Sequence, residues 1–253
     1  MFLKEDCCFD TYRRILRDIK GTGKYCDYAD VLSESRDEFL VLRHDIEFSI
    51  DRAYNLSKIE AEEGISSSYF VQITNNAYNA FSAKNVNALQ QMYKAGHHIG
   101  LHYHRGNVTD FNELKADIKY QAEILSKMCA VPIDRFSFHR PLREHLAADI
   151  EIDGLINTYG RQFFCLTDDP TVPMRVKYIA DSNHQWKYLR GGVNRDTFLK
   201  FDKIQLLIHP LSWSQSGAEH VENFQMIVQE KHDELVNTIE GEWKIFDQLR
   251  GKL

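Results

Sequence analysis

Short apolar runs alternate with amphipathic segments along most of the chain, and this alternation constrains the fold more than any other feature. The first run, Phe39–Ile46, has the length and the β-branched and aromatic content of a buried strand. Similar runs predict further strands at 67–73, 98–102, 135–139, 156–159, 175–180 and 205–209. Predicted helices separate them, including one that Ser49 or Asp51 caps and Gly64 ends, and a long one after Asp110. Strand–helix alternation is typical of βα units around a parallel sheet or barrel.

The chain contains no internal repeat, low-complexity tract or Pro/Gly/Ser-rich linker. We therefore predict a single α/β domain over residues 1–253, with its core at about 38–215, and a closed or nearly closed barrel. The last 35 or so residues predict one amphipathic helix. We expect this helix to pack on the barrel, and binding to a partner is the alternative. Its apolar stripe consists of Val221, Phe224, Val228, Leu235, Ile239 and Phe246.

Charge and hydropathy exclude several classes of protein. The 253 residues carry a formal net charge of −6 without basic blocks, which argues against a general nucleic-acid binder. No apolar run reaches the roughly 18 residues of a membrane span. The first residues lack the pattern of a secretory signal, and the odd number of cysteines, 5, does not suggest a disulfide framework. We therefore expect a cytoplasmic protein with reduced thiols.

Polar side chains that could bind a metal or transfer a proton lie at the ends of the predicted strands. In parallel barrels the catalytic groups lie at the carboxyl ends of the strands, so these side chains are expected to converge. They are His44-Asp45, His102-x-His104, His139-Arg140, Asp181 and His209.

His102 and His104 are two residues apart at a strand end, so both imidazoles can point to the same side. Asp45 ends another strand and adds an anionic oxygen. Two nitrogens and one carboxylate oxygen predict a catalytic site for one divalent ion, with Zn²⁺ expected and Co²⁺, Mn²⁺ or Ni²⁺ as alternatives. Two ordinary polar histidines are the alternative interpretation of the H-x-H pattern.

Two further histidines are candidates for proton transfer. His209 follows an apolar run and could protonate a leaving group, because imidazole titrates near neutral pH. His44 is a candidate base if the chain turns at the strand end. Hydrogen bonding of His209 to backbone, and a buried structural role for His44, are the competing interpretations.

Arg140 and Asp181 suggest an ion pair that holds the arginine in place, with a weak surface salt bridge as the alternative. Trp186 and Trp213 follow two strand ends and could form an apolar platform for a sugar, or could simply pack.

Several short motifs, in order, resemble the polysaccharide deacetylases, the chitooligosaccharide deacetylase or NodB-homology domain of carbohydrate esterase family four. The stretch G-H-H-I-G-L-H at 96–102 resembles the G-H-E-I-G-N-H signature of that family. Before it stand L-R-H-D-I-E at 42–47, I-E-A-E-E-G-I at 59–65 and S-S-Y-F-V at 67–71. After it stand F-H-R-P at 138–141, A-D-S-N-x-x-W at 180–186 and L-I-H-P at 207–210. The resemblance covers about 39–213, and the ordered set is far more specific than any single motif.

The resemblance implies a distorted (β/α)7 barrel and metal-dependent removal of an acyl group from an amide on a sugar. Carried over by motif, the metal aspartate falls on Asp45 and the first metal histidine on His102. The arginine of the third motif falls on Arg140, its supporting aspartate on Asp181, and the leaving-group acid on His209. His139, beside Arg140, is also expected at the catalytic site. Glu47 is expected to contact substrate, with metal ligation as its alternative role.

Two departures from the family pattern stand out. His44 occupies the place of the family's basic aspartate, and Gly106 stands where the H-x-x-x-H spacing would put the second metal histidine. His104 is the replacement that strand geometry suggests. These changes are typical of a divergent branch of the family.

The sequence thus predicts a metal-dependent hydrolase that removes acetyl or formyl from an N-acylated amino sugar, one that is nucleotide- or lipid-linked in the biosynthesis of a surface polysaccharide such as an O-antigen or capsule. The altered motifs support an alternative, a barrel that binds a sugar or nucleotide sugar without hydrolysing it. A different reaction on the same scaffold is a third possibility. The sequence does not specify an oligomeric state.

Overall fold

A computed structural model describes residues 2–166, 175–186 and 192–243. It contains a seven-stranded sheet, with all pairs parallel, in the order β5-β4-β3-β2-β1-β7-β6. The strands are β1 Phe39–Ile46, β2 Ser68–Val71, β3 His98–Tyr103, β4 Ile133–Phe138, β5 Ile156–Asn157, β6 Lys177–Ala180 and β7 Lys203–Ile208. The helices are α1 Phe9–Gly21, α2 Tyr28–Glu34, α3 Ile50–Glu62, α4 Ala83–Lys94, α5 Phe111–Cys129, α6 Arg143–Ala147, α7 Arg195–Leu199 and α8 His220–Glu242.

The sheet curls into an open barrel. Its edge strands, β5 and β6, share no hydrogen-bonded pairing within the described ranges. Their side chains nevertheless approach each other, since the rings of Tyr159 and Tyr178 have centroids 6.4 Å apart. The α/β class and the distorted seven-stranded barrel predicted from the sequence are confirmed.

Alternate residues of β1 face opposite sides of the sheet. Arg43 crosses the barrel interior, where its Nη1 donates to Oγ1 of Thr158 at 2.6 Å. Asp45, two residues further on, shares this inner side. Leu40 and Leu42 lie on the outer side, in an apolar cluster with residues of α1 and α3. Because both faces of β1 are covered, the whole strand is buried, and its residues are apolar except for Arg43, His44 and Asp45.

The local signals for helix ends are found where the sequence predicts them. Ser49 caps α3, with its side chain accepting from the backbone N–H of Arg52. Asp110 caps α5 by accepting from two backbone N–H groups. The segment after α3 ends in Gly64 with φ of +67°, a left-handed conformation that glycine adopts at little cost.

The C-terminal helix α8 packs on the barrel through a different face from the one expected. Its buried residues are Asn223 and Ile227, and Glu230 forms an ion pair of 2.7 Å with the buried guanidinium of Arg52. The predicted apolar stripe is largely exposed, at 68% for Val221 and 61% for Leu235. The stripe prediction was wrong because a buried arginine on α3 needs polar partners, which α8 provides. Phe246 of that stripe lies outside the described residues.

Within the part of the chain that the structure covers, no helix has the length and apolar character needed to cross a membrane.

Candidate active site

The candidate functional side chains lie together at the carboxyl end of the sheet. Glu47 follows β1, His102 lies near the end of β3, His139 follows β4 and His209 follows β7. The rings of His102 and His139 have centroids 5.1 Å apart, and Nδ1 of His139 lies 3.7 Å from Oε1 of Glu47. The common direction of the strands brings these residues to one mouth.

Glu47, His102 and His139 form a group with metal-binding geometry. One ligand atom from each lies within 4.8 Å of the others. Nε2 of His102 and Nδ1 of His139 are 3.3 Å apart. Two imidazole nitrogens and one carboxylate oxygen make a donor set that suits Zn²⁺ or a related divalent ion and leaves coordination positions open.

A relay through Ser137 fixes the tautomer of His102. The hydroxyl of Ser137 donates to Oδ1 of Asp45 at 3.3 Å, because an ionised carboxylate only accepts. That hydroxyl oxygen must then accept from Nδ1–H of His102, 2.7 Å away. The lone pair of His102 is therefore on Nε2, which faces His139. Hydrogen bonding of the second ring nitrogen is how metal-binding histidines are commonly oriented.

Burial keeps both imidazoles neutral. It lowers the pKa of His102 to about 3 and that of His139 to about 4, the latter helped by the nearby charge of Arg140. Burial also raises the pKa of the Glu47 carboxyl, so a cation beside it would favour ionisation. Neutral imidazole is the form that binds metal, and the donor set fits a divalent ion.

The predicted ligand set of Asp45, His102 and His104 differs from this group. His104 is exposed and its Nδ1 accepts from the backbone N–H of Gly106 at 3.3 Å. Strand β3 ends at Tyr103, so the alternation that was expected to align His104 with His102 stops one residue early. The structure thus places His104 outside the group, with its ring centroid 5.4 Å from that of His139, and it is His139 that joins His102 and Glu47.

Asp45 lies beside the group and has other partners. Its Oδ2 is 3.8 Å from Nε2 of His102 and 3.1 Å from a guanidinium nitrogen of Arg43. Although burial opposes its charge, Arg43 holds the pKa of Asp45 below its usual range. Asp45 is therefore placed to orient His102 through Ser137. Glu47, rather than Asp45, forms the group with His102 and His139.

Arg43 is the most consequential residue that sequence reasoning missed. Its guanidinium is fully buried beneath the site, donates to the hydroxyl of Tyr159 at 2.8 Å, and lies 4.5 Å from the centre of that ring. The signal was its position two residues before Asp45, on the same side of one strand. It supplies the fixed positive charge that keeps Asp45 ionised.

His209 and Asp181 form a buried hydrogen-bonded pair at the mouth, in which the imidazole is the acid. Nδ1 of His209 lies 2.6 Å from Oδ1 of Asp181, whose second oxygen accepts from Nε1–H of Trp213 at 2.9 Å. Although burial opposes a charged imidazole, Asp181 raises the pKa of His209 to about 9. His209 is thus protonated at neutral pH, with Nε2 left to act on a ligand.

This pairing corrects the expected partners of Asp181. The carboxylate accepts from the backbone N–H and Nδ1 of His209 and from Trp213, while Arg140 is exposed. Across the described ranges no ion pair joins Arg140 to Asp181. Strand pairing explains the choice, since β6 lies beside β7 and brings Asp181 next to His209. Arg140 stays at the mouth as an exposed cation with φ of +50°.

The two tryptophans do not form the expected sugar platform. Trp213 is buried, and its indole N–H is committed to Asp181. Trp186 is partly buried against Phe2, with ring centroids 5.5 Å apart, and lines a separate cavity with Arg14 and Val193. Both rings therefore serve packing between the barrel and the N-terminal segment.

His44 is placed on the outer side of β1, away from the mouth. It is fully buried, stacks on Tyr69 with ring centroids 4.3 Å apart, and bonds through Nε2 to Oε1 of Glu60 at 2.7 Å. The structure does not bring His44 to the mouth, where a base would be needed, because the chain does not turn between His44 and Asp45. It belongs to a buried polar network in which Glu60 also accepts from the hydroxyls of Tyr12, Ser67 and Tyr69.

Glu60→Gln is expected to lower the free energy of unfolding by about 1–3 kcal/mol at pH 7, because an amide cannot replace a carboxylate that only accepts. Although burial opposes its charge, His44 and the hydroxyl donors lower the pKa of Glu60 from 4.5 to about 2. Its stabilisation is present above pH 4.5 and disappears as the pH falls towards 2. Urea unfolding at several pH values should therefore show the deficit of the variant shrinking in acid.

The matched control is Glu62→Gln, on the exposed side of the same helix, where a change within about 0.5 kcal/mol is expected. Equal stability of Glu60→Gln and the native chain at pH 7 would show that the network contributes nothing.

The mouth opens into a cavity of about 380 Å³. Glu47, Arg140 and the His209–Asp181 pair line it. The loop after β6, which carries the A-D-S-N-x-x-W motif, and the first turn of α8, in which the sequence showed no functional signal, also line the cavity.

No protein-family model matches the sequence, and no curated protein matches it either. Solved structures do match. They include a chitin deacetylase, a peptidoglycan deacetylase and a CE4 family pseudoenzyme.

The chitin deacetylase of Colletotrichum lindemuthianum is 12% identical with a TM-score of 0.45, over 78% of this chain and 84% of that one. The peptidoglycan deacetylase PdaC of Bacillus subtilis is 12% identical with a TM-score of 0.40, over 85% of this chain and 97% of that one. BA3943 of Bacillus anthracis, a CE4 family pseudoenzyme, is 11% identical with a TM-score of 0.42, over 79% of this chain; this chain spans only 62% of its length. These likenesses are distant, and the fold is established by the strand order and pairing themselves.

Proposed function

We propose that this protein is a metal-dependent hydrolase that removes an acyl group, acetyl or formyl, from an N-acylated amino sugar. The observation that carries the proposal is that one cavity is lined both by Glu47, which forms a group with the two neutral imidazoles of His102 and His139, and by the protonated His209. The sugar class is supported by the ordered deacetylase motifs of the sequence.

Glu47, His102 and His139 would hold the divalent ion, and Zn²⁺ suits their donor atoms best. Such an ion polarises an amide carbonyl and makes water more acidic. Ser137 and Asp45 keep Nε2 of His102 unprotonated and oriented for this task.

His209 would supply a proton to the departing amine. Asp181 holds that proton on the imidazole at neutral pH and fixes the ring through Nδ1, so Nε2–H is the group available to the substrate. Arg140, exposed at the rim, would attract an anionic part of the substrate. That role agrees with a nucleotide- or lipid-linked sugar, the form expected for a precursor of surface polysaccharide.

Metal analysis and hydrolysis assays test the proposal together. The purified protein is expected to carry about one divalent ion per chain. It should release acetate or formate from members of a panel of N-acyl amino sugars, lose activity with a chelator and regain it with Zn²⁺, Co²⁺ or Mn²⁺. Absence of a stoichiometric ion, together with no hydrolysis after any of the three metals is added, would refute it.

The burial of His44 supports a second candidate, a barrel that binds an N-acyl sugar without hydrolysing it. The residue in the place of the family's basic aspartate is behind the sheet and cannot serve there. Retention of metal and of sugar binding without turnover would favour this candidate.

A further inference from the structure

Arg43 and Asp45 form a buried ion pair next to the proposed metal-binding group. Both residues lie on the inner side of β1, and their exposed fractions are 0% and 3%. Nη2 of Arg43 lies 3.1 Å from Oδ2 of Asp45. The same oxygen lies 3.8 Å from Nε2 of His102, the nitrogen that holds the lone pair. The oxygen of Asp45 that approaches a proposed ligand is therefore the one that Arg43 binds.

The second oxygen of Asp45 is also engaged. Oδ1 accepts from the hydroxyl of Ser137 at 3.3 Å, in the relay that orients His102. With both oxygens bound, Asp45 stays outside the group of mutually close donors, and that group takes its carboxylate from Glu47. Glu47 directly follows the last residue of β1, two positions after Asp45. The ion pair thus accounts for the choice of carboxylate in the group.

Four hydrogen bonds hold the guanidinium of Arg43 in one position. Nη1 donates to Oγ1 of Thr158 at 2.6 Å and to Oε1 of Gln205 at 3.3 Å. Nη2 donates to the hydroxyl of Tyr159 at 2.8 Å as well as to Asp45. These partners lie on β7 and directly after β5, so elements from both sides of the barrel hold the arginine. A planar, permanently charged fork that is fixed in this way keeps the carboxylate of Asp45 in place.

The pair also determines the charge that an ion would meet. The positive charge of Arg43 offsets the negative charge of Asp45 in buried surroundings, where water screens neither of them. Glu47 then supplies the anionic donor of a group whose other donors are two imidazoles, and this set suits Zn²⁺. A second free carboxylate would favour Mn²⁺ more than Zn²⁺, because Mn²⁺ prefers oxygen donors.

We propose that Arg43 selects the ligands of this site: it holds Asp45 away from the ion, so that Glu47 ligates instead and the margin of Zn²⁺ over Mn²⁺ is widened. Arg43 is a positioning residue, because it would act through Asp45 rather than on the ion or the substrate. The inference rests on the metal site of the proposed function and adds what determines the choice of metal. Without Arg43 the buried carboxylate loses its partner cation, and we expect it to turn to the ion.

Metal titrations of the metal-free protein test this selection without turnover. Zn²⁺ and Mn²⁺ are each titrated, in competition with a chelating dye, into the native chain and into Arg43→Met. The variant is expected to bind Mn²⁺ about tenfold more tightly than the native chain does, with a smaller gain for Zn²⁺, because a second carboxylate becomes available. Adding Asp45→Asn to Arg43→Met should abolish the gain.

A crystal structure of zinc-loaded Arg43→Met distinguishes ligation by Asp45 from a mere change in local charge. We expect an oxygen of Asp45 bonded to the ion in the variant, whereas in the loaded native chain Asp45 stays on Arg43. The matched control is Arg135→Met, which removes another fully buried arginine. Arg135 pairs with Asp27 and donates to Ser68, the first residue of β2, near the amino end of the sheet. Its replacement should leave both metal affinities within about twofold.

Thermal melting checks that each variant is folded. If Arg43→Met is not, Asp45→Asn and Glu47→Gln decide the matter, because these two carboxylates are two residues apart and only one of them is a proposed ligand. Asp45→Asn should keep about one Zn²⁺ per chain, and Glu47→Gln should lose it.

The outcomes separate this inference from the proposed function. Asp45 bonded to the ion in the native chain, loss of the ion in Asp45→Asn, or an unchanged Mn²⁺ affinity in folded Arg43→Met overturns the inference. A gain in Mn²⁺ affinity without a bond between Asp45 and the ion also overturns it. If the loaded native enzyme hydrolyses an N-acyl amino sugar in those cases, the proposed function stands. The expected gain together with that bond supports the inference even if no hydrolysis is found, and a native chain that binds neither ion refutes both.

Discussion

His102→Ala is expected to lose the divalent ion and, with it, turnover by at least about a thousandfold, because the ion is asked to supply several kcal/mol of transition-state stabilisation. Of the three proposed ligands, only His102 is buried. Its two ring nitrogens face Ser137 and His139. Its loss removes one of two nitrogen donors from a group of three ligands. Metal content by mass spectrometry and hydrolysis of an N-acyl amino sugar measure both effects.

His104→Ala is the matched control. The two histidines are two residues apart, yet His104 is exposed and lies beyond the end of β3. We expect His104→Ala to keep the ion and to retain activity within about threefold, as is usual for an exposed position. Loss of metal in His104→Ala, with metal retained in His102→Ala, would reverse the assignment.

Replacing His209, the proposed proton donor, should lower turnover to a similar extent. His209→Ala is expected to lower kcat by about 10²- to 10⁴-fold while metal content is unchanged, because the leaving amine loses its proton donor. The pKa of His209 is raised to about 9, so the protonated form persists through neutral pH. In the native enzyme kcat should therefore hold up to about pH 9 and fall above it.

Asp181→Asn tests the source of that pKa. Burial opposes the charge of His209 and Asp181 offsets it, so without the carboxylate the pKa falls and the basic limb of the profile moves to lower pH. The same pairing stabilises the fold most below pH 6.5, with the benefit lost as the pH rises towards 9. An unchanged basic limb in Asp181→Asn would show that another group donates the proton.

Much of the fold follows from sequence because strand and helix signals are local. Apolar runs of the right length mark the strands, and Ser49 and Asp110 mark helix starts through hydrogen bonds to residues two or three positions away. The convergence of strand ends then follows from parallel direction alone. These inferences need no knowledge of which side chains touch.

The predictions that differ from the structure concern His44 and His104, for which a shift of one residue along a strand changes the side chain's surroundings. Neighbouring residues on a strand face opposite sides, so His44 belongs to a buried structural network while Asp45 faces the candidate active site. His104 lies outside the group of Glu47, His102 and His139 because β3 ends at Tyr103, and the ends of strands are uncertain by a residue or more in any sequence-based prediction.

Other roles depend on distant contacts. Asp181 bonds to His209 because β6 lies beside β7, and the exposed stripe of α8 follows from the charge of Arg52 on another helix. Neither contact has a local signal. The family order placed Asp181 with Arg140, but the competition for its two oxygens is decided by the nearer donors on His209 and Trp213.

The central claim is that Glu47, His102 and His139 hold a divalent ion at the mouth of this barrel. The most direct test is a crystal structure of the protein loaded with Zn²⁺, with diffraction recorded at the zinc absorption edge to locate the ion. We expect one anomalous peak bonded to Nε2 of His102, Nδ1 of His139 and an oxygen of Glu47, with Zn–N distances of about 2.0–2.1 Å. A peak bonded to Asp45 and His104, or no peak at the mouth, would contradict this account.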